Sequence, residues 1–130
     1  MREKFPHMEA ASIAAATDAE IQSIGISMRK VSYIRGLCEA VLHGSLVIDE
    51  LNKMSDQEVA QKLLPIKGIG QWTVEMTLIF SLGRGDVVSF GDYAIRKGMM
   101  TLYGLKELNR VAFERYRKRY SPYGTVASIY

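Results

Sequence analysis

One acid, one indole and two glycines are the residues whose types and spacing could do chemistry. Asp92 stands in Ser89-Phe-Gly-Asp-Tyr-Ala-Ile-Arg96, after an apolar loop and at the expected start of a helix. A carboxylate there has two readings. It caps the helix by accepting backbone N–H groups, with Arg96 one turn on as an ion-pair partner. Alternatively, its charge stabilises a cation that develops during a reaction. The helix N-terminus and Arg96 would both favour the ionised form. Gly68 and Gly70 lie upstream in Leu63-Leu-Pro-Ile-Lys-Gly-Ile-Gly-Gln-Trp-Thr73, with Gly70 22 residues before Asp92. Two glycines around one apolar residue allow a tight hairpin between helices. Ile69 is then expected to turn into the core and the glycines to stay bare outside. The N–H groups of Gly68, Gly70 and the next first turn (Gln71, Trp72, Thr73) would point outward at the positive end of a helix dipole. That arrangement binds a phosphate oxygen without reading sequence. An ordinary helix–helix turn is the simpler alternative.

The elements that must position these residues read as helices throughout. Met8–Ala16 is alanine-rich and expected to be a short helix. Thr17-Asp-Ala-Glu20 is a capping box that opens another, ended by Gly25. Ser27 caps a longer helix reaching Leu42, with Val31, Ile34, Cys38 and Val41 on one face. Cys38, the only cysteine, is therefore a core residue and not a reactive thiol. His43 falls at the C-terminus of that helix, as a cap or dipole partner. Val47–Lys53 reads as a connector. Ser55-Asp-Gln-Glu58 is a second capping box, followed by Val59, Leu63 and Leu64. An apolar helix from Trp72 to Leu82 follows the hairpin, then a loop over 83–91. The helix from Asp92 ends at Tyr103-Gly104. Glu107–Tyr120 forms a basic, aromatic helix, and Ser121-Pro122 starts a last one. The expected fold class is all-α: one helical bundle containing the hairpin, as a single domain over residues 1–130.

Bulk properties narrow the function classes. Apolar residues make up 48% of 130, enough for a core. No run is long enough to span a membrane, and MREKFPHMEAA lacks the apolar stretch of a signal peptide. A single cysteine excludes an internal disulfide framework, a cysteine-ligated zinc site and an iron–sulfur cluster within this chain. It fits a reducing cytoplasm. The net charge of +3 is unevenly spread: residues 1–93 carry −3 and residues 94–130 carry +6. The basic third reads either as a solvated helix face or as a surface for a polyanion, with Arg115, Arg117, Lys118 and Arg119 on phosphates.

The hairpin pattern resembles the helix-hairpin-helix of DNA-repair enzymes. Together with Asp92 at its distance, it resembles the helix-hairpin-helix glycosylase superfamily. Within it the chain is most similar to the 3-methyladenine DNA glycosylase II type, in which Gly-Ile-Gly-x-Trp-Thr precedes an Asp-Tyr or similar pair. The resemblance runs from about Phe5 to the C-terminus and includes Ser27-Met-Arg-Lys-Val-Ser-Tyr-Ile-Arg35.

That resemblance implies base-excision repair: hydrolysis of the N-glycosidic bond of alkylated purines in double-stranded DNA. Asp92 would be the catalytic carboxylate. Trp72 and Tyr93 would line the base pocket, a reading the motif favours over Trp72 as a core aromatic near a helix start. Gly68, Gly70, Gln71, Trp72 and Thr73 would hold a DNA phosphate. The carbonyls of Leu64, Ile66 and Ile69 would hold a structural Na+ or K+, and no cofactor is required. Relatives that also nick the strand carry a lysine two residues after the second glycine. Here that position is Trp72, and Lys67 does not match, so the expected enzyme is monofunctional. The implied location is the cytoplasm, on the nucleoid in a prokaryote. The family domain normally starts one or two helices earlier, with a Gln-rich stretch that supplies a wedge for base flipping. The chain is therefore expected to be incomplete at its N-terminus. The helices at 27–42 and 72–82 should then show an uncovered apolar face, for a partner or a second copy. The rival readings are a non-catalytic DNA-binding module, in which Asp92 is only a cap, and a structural subunit that completes its core with another polypeptide.

Overall fold

The computed structural model describes residues 9–130. The expected first helical residue, Met8, and the start of the resemblance near Phe5 lie outside the described residues. Among the described residues every regular element is helical. None of the helices among the described residues is long and apolar enough to cross a membrane. The described chain divides into two compact units, with the boundary between Gly70 and Gln71.

The first unit holds α1 (Ala10–Ala15), α2 (Asp18–Gln22), α3 (Met28–Leu42), α4 (Ile48–Leu51) and α5 (Asp56–Leu63). Its helix starts follow local chemistry. Thr17 and Ser55 each accept the backbone N–H three residues on, and Glu20 and Glu58 reach back to the cap residue's own N–H. Ser27 caps α3 through the Lys30 N–H. Val31 and Cys38 of α3 meet Ile13 and Ile21 in a common core. Burial pushes the Cys38 thiol up, so it stays protonated and inert at neutral pH. Arg35 on the same helix ties α1 to α2. It pairs with Asp18 at 2.6 Å and donates to the carbonyls of Ala14 and Ala16. The carbonyls at the end of α1 are thereby satisfied by a side chain. Where a connector was expected at Val47–Lys53, one helical turn forms at α4, which buries Leu51.

The second unit holds α6 (Gln71–Met76), α7 (Tyr93–Tyr103), α8 (Arg110–Arg117) and α9 (Gly124–Ile129). The expected single helix from Trp72 to Leu82 changes character at Thr77. A π-helical stretch covers Thr77–Ser81, closed by the Leu82 N–H on the Thr77 carbonyl. The Thr77 hydroxyl donates to the Thr73 carbonyl at 2.9 Å, a local bond that competes with the α-helical ladder. The basic helix is shorter than Glu107–Tyr120. Asn109 caps it by accepting the Ala112 N–H, and regular helix ends at Arg117. The last helix begins at Gly124 and not at Ser121. Met99, Leu108 and Phe113 form the core of this unit.

The two helices expected to show an uncovered apolar face carry individual exposed apolar side chains, and those of α3 do not share one face. Met28, Leu37 and Leu42 are exposed on α3, and Trp72 and Phe80 on α6 and its π continuation.

Candidate active site

The loop before α7 is held from several sides. Thr125 of α9 accepts the Val87 N–H at 2.9 Å and donates to the Arg84 carbonyl at 2.7 Å. The Gly124 N–H and the Ser121 hydroxyl both donate to Asp86. Ser89 is fully buried. Phe90 meets Phe113 edge to face, with ring centroids 5.1 Å apart. This anchoring fixes where Asp92 emerges.

Asp92 uses its two oxygens differently. Oδ1 caps α7, accepting the N–H groups of Ala94 at 2.8 Å and Ile95 at 3.3 Å. Oδ2 accepts the indole Nε1–H of Trp72 at 3.2 Å, from 20 residues away in the chain. The carboxyl is held below its ordinary range. The Trp72 indole N–H is the largest cause, partly opposed by desolvation, and the Ile95 and Ala94 N–H groups add to it. The expectation that Arg96 would pair with Asp92 is not met. The Arg96 guanidinium instead lies over the Phe90 ring, 5.2 Å from its centroid, where Arg110 also sits at 5.4 Å. The apolar loop takes the arginine that helix spacing alone assigns to the acid.

Trp72 is 50% exposed, so it is not a core aromatic. Its Cβ lies beside Gly91, next to Asp92 in sequence. Tyr93 is exposed at the first position of α7. A groove of about 400 Å³ runs along α7 and α9, lined by Ile95, Met99, Leu102, Ile129 and Tyr130 among others. Asp92, Trp72 and Tyr93 do not line it.

The hairpin departs from expectation in one respect. Its backbone is held by the Ile66 N–H on the Leu63 carbonyl and the Ile69 N–H on the Ile66 carbonyl, both 3.0 Å. Gly70 is bare, with nothing near the space a Cβ would fill. Gly68 is exposed as well, but its Cβ side is closed: it has φ +92°, and a Cβ there would fall under 3.0 Å from the Tyr33 ring. Ile69 is half-buried and Leu64 exposed.

The basic residues of α8 and the turn after it are partly engaged. Arg117 pairs with Glu114 at 2.8 Å. Arg115 and Arg119 lie over Tyr116, which stacks on Tyr103 at 4.1 Å. Lys118 is exposed.

Two residues were missed by the sequence reading. Glu75 is buried in α6, one oxygen accepting from Gln71 at 3.1 Å and the other without a partner. An acid inside an otherwise apolar run was its signal. Tyr33 lies within the Ser27–Arg35 segment, but nothing in its spacing pointed to Gly68.

Residues 1–122 match the family model described as HhH-GPD superfamily base excision DNA repair protein. The chain belongs to that superfamily. It is 36% identical over 116 residues to DNA-3-methyladenine glycosylase 1 of Schizosaccharomyces pombe, covering 87% of this chain and 51% of that protein. It is 29% identical over 120 residues to a putative DNA-3-methyladenine glycosylase, YfjP, of Bacillus subtilis, covering 92% and 42%. Among solved structures, the S. pombe 3-methyladenine DNA glycosylase in complex with abasic DNA superposes with a TM-score of 0.84 at 32% identity, over 93% of this chain and 60% of that one. The Bacillus halodurans DNA-3-methyladenine glycosidase gives 0.80 at 41% identity, over 94% and 57%. The chain thus spans about half the length of these relatives. The all-α class and the helix-hairpin-helix family read from the sequence both stand.

Proposed function

We propose that this chain is a helix-hairpin-helix glycosylase domain, over residues 1–130, that hydrolyses the N-glycosidic bond of alkylated purines in double-stranded DNA. The observation that carries the reading is the shared hydrogen bond of Asp92 and Trp72. One carboxylate oxygen is fixed on the helix start, the other on a half-exposed indole, and both contacts favour the charged form. Breaking the bond between base and sugar builds positive charge on the sugar, as in an oxocarbenium ion. A carboxylate kept ionised at neutral pH stabilises that charge and orients a water against the sugar carbon. The damaged base must leave the duplex to be cleaved. Its cationic ring suits the exposed faces of Trp72 and Tyr93.

Gly68 and Gly70, with the first turn Gln71, Trp72 and Thr73, would present N–H groups to a phosphate. The carbonyls of Leu64, Ile66 and Ile69 are hard oxygen donors and suit Na+ or K+. The Ile66 carbonyl already accepts one hydrogen bond and keeps a second lone pair. Such an ion would add positive charge beside the phosphate. No protein step needs a further cofactor. Cleavage is monofunctional, because Trp72 occupies the position where lyases carry lysine. Exposed apolar residues on α3 and α6 suit a partner or a second copy. The enzyme would work in the cytoplasm, on the nucleoid in a prokaryote.

The test is release of 3-methyladenine from alkylated duplex DNA. Wild type should release base, and Asp92→Asn should not while still binding DNA. Borohydride should trap no covalent protein–DNA adduct. A wild-type chain that binds DNA but releases no base would leave a binding module in which Asp92 is a cap.

A further inference from the structure

We propose that Tyr33 is a positioning residue for the hairpin: its ring is the seat that holds the Gly68 turn in a phosphate-binding shape. The inference rests on the reading that the hairpin grips DNA.

Gly68 carries two independent demands. Its φ of +92° is one that residues with a Cβ rarely adopt. The space where a Cβ would sit is occupied by the Cγ, Cδ1 and Cδ2 atoms of Tyr33. Gly70, two residues on, meets neither demand: its φ is not positive and its surroundings are open. The two glycines are therefore used differently. Both are exposed, but Gly68 turns its Cβ side onto the Tyr33 ring, which leaves its N–H outward, whereas Gly70 is open on that side too.

Tyr33 is well placed to be a fixed seat. It sits on α3, the longest helix of the first unit. Val31, two residues earlier, is buried in the core with Ile13, Ile21 and Cys38. Two residues correspond to about 200° around a helix. One side of α3 is thus locked into the core while another meets the hairpin turn. The turn itself is short of internal support. Past the Leu64 N–H on the Ala60 carbonyl, which closes α5, the bonds of the turn are the Ile66 and Ile69 N–H groups on carbonyls three residues back. Ile69 is only half-buried. A ring pressed against Gly68 supplies the restraint those bonds lack, and an N–H donor must be restrained to aim at one phosphate oxygen.

The contact is made by ring carbons, not by the hydroxyl, which sets the test. Binding to a duplex containing an abasic site is followed by fluorescence anisotropy over a salt series. Tyr33→Phe should bind within about twofold of wild type. Tyr33→Ala should bind about tenfold more weakly, the worth of one charge-assisted hydrogen bond. Its plot of log K against log salt should also flatten by about 0.9, one phosphate contact. A merely structural role would lower the folded fraction without changing that slope. Tyr33→Leu keeps apolar volume and guards against misfolding of the alanine variant, and it too should show the flatter slope. Wild-type slope and affinity in both Tyr33→Ala and Tyr33→Leu would overturn the inference. So would Tyr33→Phe being as weak as Tyr33→Ala. If wild type itself binds with no salt dependence, the hairpin reading falls, and Tyr33 with it.

Discussion

The helix starts at Ser55 and Asp92 solve one problem in two ways. At Ser55 the circuit is closed. Its hydroxyl takes the Glu58 N–H, and Glu58 returns to the Ser55 N–H and hydroxyl at 2.8 and 2.7 Å. Thr17 and Glu20 repeat the pattern. At Asp92 one oxygen takes both first-turn N–H groups, and the other turns away from the helix to an indole. Both carboxyls are held below their ordinary range, for different reasons. Glu58 owes its shift first to the Ser55 hydroxyl, Asp92 to Trp72. In the capping box the acid's bonds stay within its own turn, both on one oxygen. At Asp92 the second oxygen leaves the helix and meets the exposed aromatic.

Removing charge at each start should separate the two most widely. Asn caps about as well as Asp. Asp92→Asn should therefore cost less than about 1 kcal/mol in thermal unfolding, mostly the lost charge at the helix N-terminus. Base release should nevertheless fall on the order of 10²–10³-fold. Glu58→Gln preserves a capping box and should change neither quantity appreciably. Equal losses of activity in the two variants would erase the distinction drawn between the caps.

Why one start was legible in the sequence and the other only half so follows from distance along the chain. Capping boxes close over three residues, so Thr17–Glu20 and Ser55–Glu58 could be read directly. Asp92 as a cap was legible for the same reason, as was the αL glycine at 104 that ends its helix. Helix spacing also offered Arg96 as its partner, and that failed because the Phe90 ring competes for the guanidinium. Trp72 comes to Asp92 across 20 residues, and Tyr33 comes to Gly68 across 35. No local period encodes such pairs. Boundaries slipped where short polar side chains intervened: Asn109 sets the start of α8, and the Thr77 hydroxyl precedes the π turn.

Deleting the caps outright should bring the two starts closer together. Ser55→Ala and Asp92→Ala each leave first-turn N–H groups without a side-chain acceptor. Each should lower stability by about 1 kcal/mol, measured by denaturant midpoint with an unchanged m-value. The remaining difference is functional. Activity per folded molecule should survive Ser55→Ala and be lost in Asp92→Ala. If Asp92→Ala were fully active, its carboxylate would be a cap like any other.

The smallest effect isolates the spare oxygen. Trp72→Phe keeps an aromatic ring and removes the Nε1–H that contributes most to the low Asp92 value. The Asp92 carboxyl should then titrate at higher pH. The sign follows from linkage. A carboxyl whose folded value is depressed adds stability above its unfolded value, and that stability is lost as pH falls through the folded value. With the indole gone, the loss should still begin at the unfolded value but be smaller and complete at a higher pH, and the acid limb of base release should move up in pH as well. At neutral pH Asp92 stays ionised in both proteins, so a change of protonation costs nothing there. Any neutral-pH decline in Trp72→Phe reports the smaller aromatic face or a shifted carboxylate. Carbon NMR of the Asp92 carboxyl across an acid titration reads the shift without needing turnover. An unmoved titration would mean that the indole bond does not govern the carboxylate. The Ala94 and Ile95 N–H groups would then be sufficient, and Asp92 would differ from Glu58 only in what stands beside it.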